Sequence, residues 1–504
     1  MAGLYAIARQ FRLRAISVFV LEAVLTVLLL GGSQATANVC VSPKGNGCFI
    51  TIQAAIDSVS TPNTTIVVQP GTYSATCNSP ACSVATISSA APNGSSLTGL
   101  ILQCTRKEGQ SAILDATSLD HAVYVSGVNR VTIQGCIAAN AAREGILVEN
   151  ADNVHLVANE VKENDQAMGF TVGKGSPPCP TFVSPGTPGT GAIQCCPDAF
   201  SGGPGNFPED NDDCGEGIHL RGVSNSVVEG NWVHDNIGGI LLTDETSPNY
   251  NNLVVNNNSS NNRLFGGDCG VTLPSHSPCS PTSTDASGCQ GFNPTAQANG
   301  VFHNEVVDNV LIGNGAAGAG VFANPGAPPG EATLAYGNLI ADNVVKENGQ
   351  PGIAIHVHAA NGNADNNVIV ENVVSGNGGD AEAVPGTPPP GMGIEVLSNA
   401  SLGGGFSPAS PIAGTIISQN KVSNEDFDLW VGNTATNVRV FLNDLLGRGA
   451  SGIANAGSGT VTATDDYWGC PGGPGASGCS SISNTSGGTV ISKPFLSHPV
   501  NPED

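Results

Sequence analysis

The sequence predicts an all-β chain folded as one right-handed parallel β-helix, a single-stranded solenoid of short strands with a short capping helix at its N-terminal end. Three observations predict it. An Asn-x-x-x-x-Asn spacing recurs at Asn159/Asn164, Asn231/Asn236, Asn257/Asn262, Asn309/Asn314, Asn343/Asn348 and Asn372/Asn377. A Gly-Ile-x-Leu-like unit recurs over residues 145–148, 217–220, 239–242, 270–273, 352–355 and 393–396. Sixty-six glycines with only 5% aromatic residues suit short strands joined by tight turns.

Residues 1–37 read as a secretory signal: Arg9, Arg12 and Arg14 form a basic start, 16–30 is mostly apolar, and Ala35-Thr36-Ala37 supplies small residues before a cleavage expected ahead of Asn38. The competing reading is an uncleaved anchor, which Glu22 and the shortness of the apolar run disfavour. No later segment is long and apolar enough to span a bilayer, so the expected address is secreted, periplasmic or cell-surface. Removing the signal's three arginines and one glutamate from 17 basic and 41 acidic residues leaves 14 and 40, a net charge of −26. Such a surface excludes nucleic acid and anionic lipid as partners. An acidic polysaccharide would need bound Ca²⁺ or a local basic cluster, whereas a neutral glycan meets no such barrier.

Residues 38–504 are expected to form one domain. From Phe49 to Tyr73 an amphipathic helical stretch (Ile52, Ile56, Val59) precedes Ile66-Val67-Val68 and a Pro70-Gly71 turn. In the repeats that follow, an Asn at a fixed turn position can stack its amide on the rungs above and below. The Gly-Ile-x-Leu units then form strands of one sheet with every second aliphatic inward. No single rung can bury its apolar face alone, so the rungs share one core. All fifteen Cys follow the signal, and Cys40/Cys48, Cys77/Cys82 and Cys470/Cys479 are close enough in sequence to pair in an oxidising compartment. Cys179, Cys195, Cys196, Cys214, Cys269, Cys279 and Cys289 fall in insertions near 165–216 and 263–299, where disulfides would replace missing regular structure, and one Cys is left over. Zinc at Cys195-Cys196 is the alternative, without a Cys-x-x-Cys pair to support it.

The segments Phe49-Ile50-Thr51-Ile52-Gln53-Ala54-Ala55-Ile56 and Ile66-Val67-Val68-Gln69-Pro70-Gly71-Thr72-Tyr73 resemble the opening of the pectin-lyase-like β-helix superfamily. Asp465-Asp466-Tyr467-Trp468-Gly469-Cys470-Pro471-Gly472-Gly473-Pro474 resembles the closing segment of many bacterial β-helix chains, including accessory proteins of nitrous oxide reductase, with Trp468 expected to plug the open end. With the rungs between, the resemblance covers nearly the whole mature chain. It implies fold, not a specific activity. The paired-Asp and Gly-His-Gly segments of polygalacturonases and the Tyr-Gly-Phe-Asp-Pro-His of alginate epimerases are absent.

The long insertions border the Gly-Ile-x-Leu strands, so they should wall one lateral face and make a groove across the stacked strands. Into that groove would point Glu149, His219 and Arg221, Thr243 with Asp244 and Glu245 at the turn, Thr272 and His276, His356 and His358, and Glu395. Arg221 suits neutralising a uronate carboxylate or taking a proton; its bland alternative is an ion pair with Glu149 or Asp244. His356 and His358 have strand spacing and suit a general base, with His219, Thr243, His276 and Glu395 holding substrate. Asp244, Glu245 and Asp268, with Asp213, suit Ca²⁺, or two of them the acid and base of a glycosidase. The functional expectation is a glycan-binding or glycan-processing protein, a polysaccharide lyase or epimerase in particular. The alternative is a non-catalytic surface or periplasmic binding protein. A third reading, metal handling through His and Cys, lacks a His-rich or Met-rich tract.

Overall fold

A five-residue step sets the shape of each rung. Asn252 is followed by the strand Leu253–Val255, then Asn256 with φ 55°, then Asn257, the strand Asn258–Ser260, Asn261 with φ 56°, and Asn262. The left-handed residue turns the chain, and Asn tolerates that conformation better than most residues. The Asn after it points inward at the corner. From Thr132 to Leu446 the middle residue of each three-residue strand, Val254 for instance, is buried.

The computed structural model describes residues 38–75, 83–164, 216–263, 268–275, 299–323, 333–357, 361–380, 383–384, 388–398, 410–433, 435–447 and 451–500. The expected signal segment, the expected Cys77/Cys82 pair and most of both Cys-rich insertions lie outside them. The described strands stack into three long parallel sheets, of 14 strands (A), 11 strands (B) and 12 strands (C). Each rung passes A, B and C in turn, and parallel crossovers of this kind take the right-handed course. The chain is a right-handed parallel β-helix. One apolar core runs inside it from Val41 to Trp468. The helix Ile52–Asp57 starts at Thr51, whose hydroxyl accepts the Ala54 N–H at 3.2 Å. Its buried Ile52, Ala55 and Ile56 face that core, against the first strands of sheets A and C. No helix among the described residues is long and apolar enough to cross a membrane.

Three polar ladders run along the corners. In the first, Asn159 donates its backbone N–H (2.9 Å) and Nδ2 (3.0 Å) to Asn231 Oδ1, and the same double bond repeats through Asn257, Asn309, Asn343, Asn372, Asn420 and Asn443. The second runs from Asn164 to Asn377. The third, Asn252, Asn304, Asn338 and Asn367, was not anticipated, although the spacing of five simply continues backwards from Asn257 to Asn252. Asn is required because its amide accepts two bonds through one oxygen and donates from the other end, for example from Asn257 Nδ2 to Val228 O at 2.8 Å. Two ladders end on a carboxyl, which only has to accept: Asn443 donates to Asp466 Oδ1 and Asn377 to Glu425 Oε1.

Sheet C has the expected register. Val123, Ile146, Ile218 and Ile240 pair in sequence, then Val271, Ala319, Ile353 and Ile394. The predicted strands appear as Glu216–Arg221, Gly238–Thr243, Val271–Ser275, Ile353–Val357 and Met392–Ser398. They are not all successive, because Ala319–Ala323 intervenes between the third and fourth. The opening Gly of each unit is dictated by close approach: a Cβ on Gly217 would stand 2.3 Å from Val233 Cγ1 and 2.9 Å from Asn236 Nδ2. Disulfides join Cys40 to Cys48, Cys104 to Cys136 and Cys470 to Cys479. Cys269, expected among the paired insertion cysteines, is a buried free thiol.

The carboxyl at the end of the first ladder makes stability pH-dependent. Burial pushes Asp466 from 3.8 up to about 7, so the folded state holds its proton more tightly than the unfolded chain. That contribution is full below the unfolded value and is lost as the pH rises through about 7, by on the order of 4 kcal/mol in total. Asp466→Asn removes the titration while keeping the Oδ1 acceptor. Its thermal midpoint relative to the parent should therefore rise more at pH 8 than at pH 5, and an equal difference at both would contradict the assignment.

Candidate functional site on the outer face of sheet C

Alternation along the sheet C strands sends Ile218 and Leu220 inward and His219 and Arg221 to the opposite face. The strand pairing then builds columns on that outer face. Tyr124, Leu147, His219 and Leu241 form one, and Ser126, Glu149, Arg221 and Thr243 another. Near the strand starts, Glu144 and Glu216 occupy consecutive rungs, with His121 on the rung before them.

These side chains meet in two clusters. In the first, Glu144 Oε2 lies 2.9 Å from His121 Nδ1 and Glu144 Oε1 lies 3.5 Å from His219 Nδ1. The other ring nitrogen of His219 is 2.8 Å from Thr243 Oγ1, whose hydroxyl donates to Glu245. Beside it Arg221 pairs with Glu149 at 3.1 Å, and Tyr124 donates to the second Glu149 oxygen at 2.7 Å. Burial acts to raise the Glu144 pKa, but the charges and hydrogen bonds of His121 and His219 outweigh it and hold the carboxyl well below its usual range. Burial, reinforced by the Glu149 charge, pushes Tyr124 up to about 12. In the second cluster His356 Nε2 is 3.1 Å from Glu395 Oε2 and 3.9 Å from Asp380 Oδ2, with the Phe322 ring edge-on to the imidazole.

The expected open groove needs correction. Arg221 is 2% exposed, His219 1%, His356 6% and Glu395 0%. The residues leave the sheet on the expected face, but they are closed to solvent there. Apolar side chains share it: Leu147 and Leu241 stand among the charges, Phe322 and Ala354 pack with Cys269 and Ala317, and Trp430 packs with Met392 and Ala454.

Arg221 and His356 are separated by four rungs, about 19 Å at the rise of a parallel stack. They cannot act on one sugar ring. Arg221 takes the Glu149 partner that its bland reading named, while Asp244 is committed elsewhere: Oδ2 accepts from Ser275 Oγ at 2.9 Å and from the Gly300 N–H. Asp268 is buried beside Cys269, and burial raises its pKa; burial and the Asp268 charge push the Cys269 thiol well above its usual value. Thr272 lies on the outer face between the clusters. His276 and His358 fall outside the described residues. The described groups of three able to share a cation are Glu144, Glu216 and His219, and His356, Asp380 and Glu395; neither contains Asp244, Glu245 or Asp268. Sequence reasoning missed Glu144, Glu216, His121 and Tyr124. Glu144 and Glu216 each directly precede a repeat Gly, which was the available signal.

No protein-family model and no curated protein matches the chain. Solved structures similar to it include an alginate lyase from Paenibacillus sp. str. FPU-7 (13% identity, 83% of this chain and 97% of that one, TM-score 0.40). A mannuronic acid specific polysaccharide family 6 lyase from human gut microbiota is similar over 90% of this chain and 82% of its own (12% identity, TM-score 0.45). The A-module of the Azotobacter vinelandii mannuronan C-5 epimerase AlgE4 matches over 89% and 94% (10% identity, TM-score 0.41). The architecture itself is decided by this chain's own strand pairing, three stacked parallel sheets around one core. It is a parallel β-helix. A fold alone leaves activity to be argued from the two clusters.

The buried Arg221–Glu149 pair offers a direct check of the first cluster. Glu149→Leu removes a carboxylate paired with a buried guanidinium and should cost on the order of 3–5 kcal/mol, whereas the Glu149→Leu, Arg221→Met double variant should recover much of it. Urea denaturation of the four proteins measures the coupling; strictly additive losses would show that the two groups do not depend on each other.

Proposed function

We propose that this chain is an exported carbohydrate-processing β-helix protein whose glycan engages the outer face of sheet C around the first cluster. One observation carries the reading. In a chain with 17 Lys and Arg and 9 His, Arg221, His121 and His219 converge with Tyr124, Glu144, Glu149 and Glu216 on one face outside the apolar core. Burying ions off the core costs free energy that a purely structural face filled with aliphatics would avoid. The three described disulfides support an oxidising, exported setting.

Lyase or epimerase chemistry fits the groups better than hydrolysis. A glycosidase needs one carboxyl kept protonated as acid, separated from its partner by roughly 5 Å or more. Glu144 is held ionised, and its ligating atom lies within 4.8 Å of one from Glu216. Proton abstraction beside a uronate carboxylate instead needs a cation to neutralise that carboxylate, a base to take the α-proton and a proton donor for the leaving oxygen. Arg221 suits the first role, an imidazole of the same cluster, His219, the second, and Tyr124, protonated at neutral pH, the third. The non-catalytic alternative is favoured by the closure of the same face, since Arg221 is 2% exposed.

Pectic, alginate and glycosaminoglycan polymers, with and without Ca²⁺, form the test. Elimination is read by the absorbance of unsaturated uronates and epimerisation by uptake of solvent deuterium into recovered polymer. At least one uronate polymer should respond, and Arg221→Met should abolish the response while a melt shows the variant folded. Silence on every polymer, with glycan-array binding that survives Arg221→Ala combined with His356→Ala, would establish the binding-protein reading in its place.

A further inference from the structure

We propose that Trp232, on the outer face of sheet B, is the platform of a glycan site separate from the clusters on sheet C, and that this site takes a neutral, β-1,4-linked hexopyranose chain. It shares a rung with Arg221 but lies on another side of the solenoid, and it does not depend on the uronate reading.

A singly exposed aromatic residue needs no explanation by itself. Trp232 is set apart by how it is held. It is 47% exposed, whereas Trp430 and Trp468 are buried. Its ring stacks on the imidazole of His234, two residues on in the same strand, with centroids 3.9 Å apart and planes at 22°. That imidazole is clamped in turn: Nδ1 lies 2.7 Å from Asp235 Oδ2, and Nε2 faces Glu160 Oε1 at 3.8 Å. Nearly parallel rings at that separation are in face-to-face contact. One face of the indole is therefore spent on His234, and the exposure belongs to the other face and the ring edge.

The free face looks back along the strand, away from His234, toward the corner at Gly230. Gly230 is left-handed, with φ 63°, and a Cβ built on it would meet no atom of the described residues within 4 Å. The conformation alone does not require glycine, because Asn256 fills the same corner position one rung on with φ 55°. What the glycine does is keep the approach to the indole clear. One rung back the corner residue is Ala158, which is also small.

A pyranose matches this slot. Its C–H bonds form a weakly positive apolar face that stacks on the negative face of the indole, while its hydroxyls radiate from the ring edge. Groups to receive them sit about 4.8 Å away on either side, Glu160 on the rung before Trp232 and Asn258 on the rung after. Lys162 Nζ holds Glu160 Oε1 at 2.8 Å, leaving Oε2 to accept. Asn258 and Asn256 are exposed, and each amide both donates and accepts.

Charge selects the kind of sugar. Glu160, Glu229 and Asp235 lie around the slot and the nearby Lys162 is already paired, so a uronate is repelled. The same field, with a net charge of −24, excludes a nucleotide, whose base would also stack on the ring. A stable protein partner needs roughly 800 Å² of matching surface on each side, and Trp232 offers one ring flanked by polar side chains.

Calorimetric titration of the full-length protein with cellohexaose, and with hexagalacturonate as the charged arm, tests the site. Cellohexaose should bind saturably. Trp232→Ala should weaken it at least roughly 10-fold, Trp232→Phe less, and Asn258→Ala several-fold. Gly230→Asn leaves the indole in place and suits the left-handed corner as Asn256 does; by putting a side chain in the slot it should weaken cellohexaose roughly 10-fold. Any binding of hexagalacturonate should be indifferent to Trp232→Ala, and Arg221→Met should leave cellohexaose unaffected. Far-UV circular dichroism confirms that the variants are folded. Sedimentation velocity without sugar should give the same coefficient for the parent and Trp232→Ala, since a change would mean that a second copy of the chain covers the ring. Absence of cellohexaose binding, binding indifferent to Trp232→Ala and Gly230→Asn, or a shift in sedimentation overturns the proposal.

Discussion

The amide of one asparagine bonded to the amide of the next is the interaction on which the rest of this molecule depends. A solenoid corner turns backbone N–H and C=O groups toward a dry interior, where leaving them unpaired costs about 1–3 kcal/mol each. At a ladder corner an inward Asn accepts two donors from the preceding rung and returns its own amide protons. That demand sets the five-residue step on sheets A and B and brings every rung back into register. Sheet C is released from it. Its strands begin and end at connections of variable length, which is where insertions can be added without disturbing the ladders.

Register on sheet C follows from that constraint. Once the second ladder runs past Gly217 and its counterparts, the aliphatic at the next position must face the core, and the residue after it must face away. His219, Arg221, His356 and Glu395 owe their placement on the outer face to that parity. Their partners come from neighbouring rungs. Arg221 meets Glu149 from the rung before, and His219 meets Glu144 on one side and Thr243 on the other. The cluster is thus a property of the stack: no one rung contains an acid, a base and the groups that orient them.

The parts of the fold that repeat were legible in the sequence, and the parts that depend on one rung touching another were less so. Asn at every fifth position and Gly before Ile-x-Leu announce ladders and strands directly. The strand Ala319–Ala323 escaped because Gly318-Ala319-Gly320-Val321 offers Ala and Gly where the pattern asked for Ile and an outward side chain. The outward parity of Arg221 was readable from alternation; its burial was not, because parity says which face a side chain takes and nothing about what else packs there. Glu144 and His121 were overlooked for a related reason. They are 75 and 98 positions before His219 in the chain, and only strand pairing brings them together.

Hydrogen exchange across a broken ladder is the most direct measurement of the central claim. Asn309→Ala removes the acceptor for Asn257 and the donor to Val254 O in the middle of the first ladder. If the ladders hold the rungs in register, backbone protection falls in the strands on either side, Leu253–Val255 and Val344–Lys346 included, while Thr132–Gln134, four rungs toward the N-terminus, keeps its protection. If protection is lost only at residue 309 and its sequence neighbours, the ladders are passengers of the sheets, and the account is wrong.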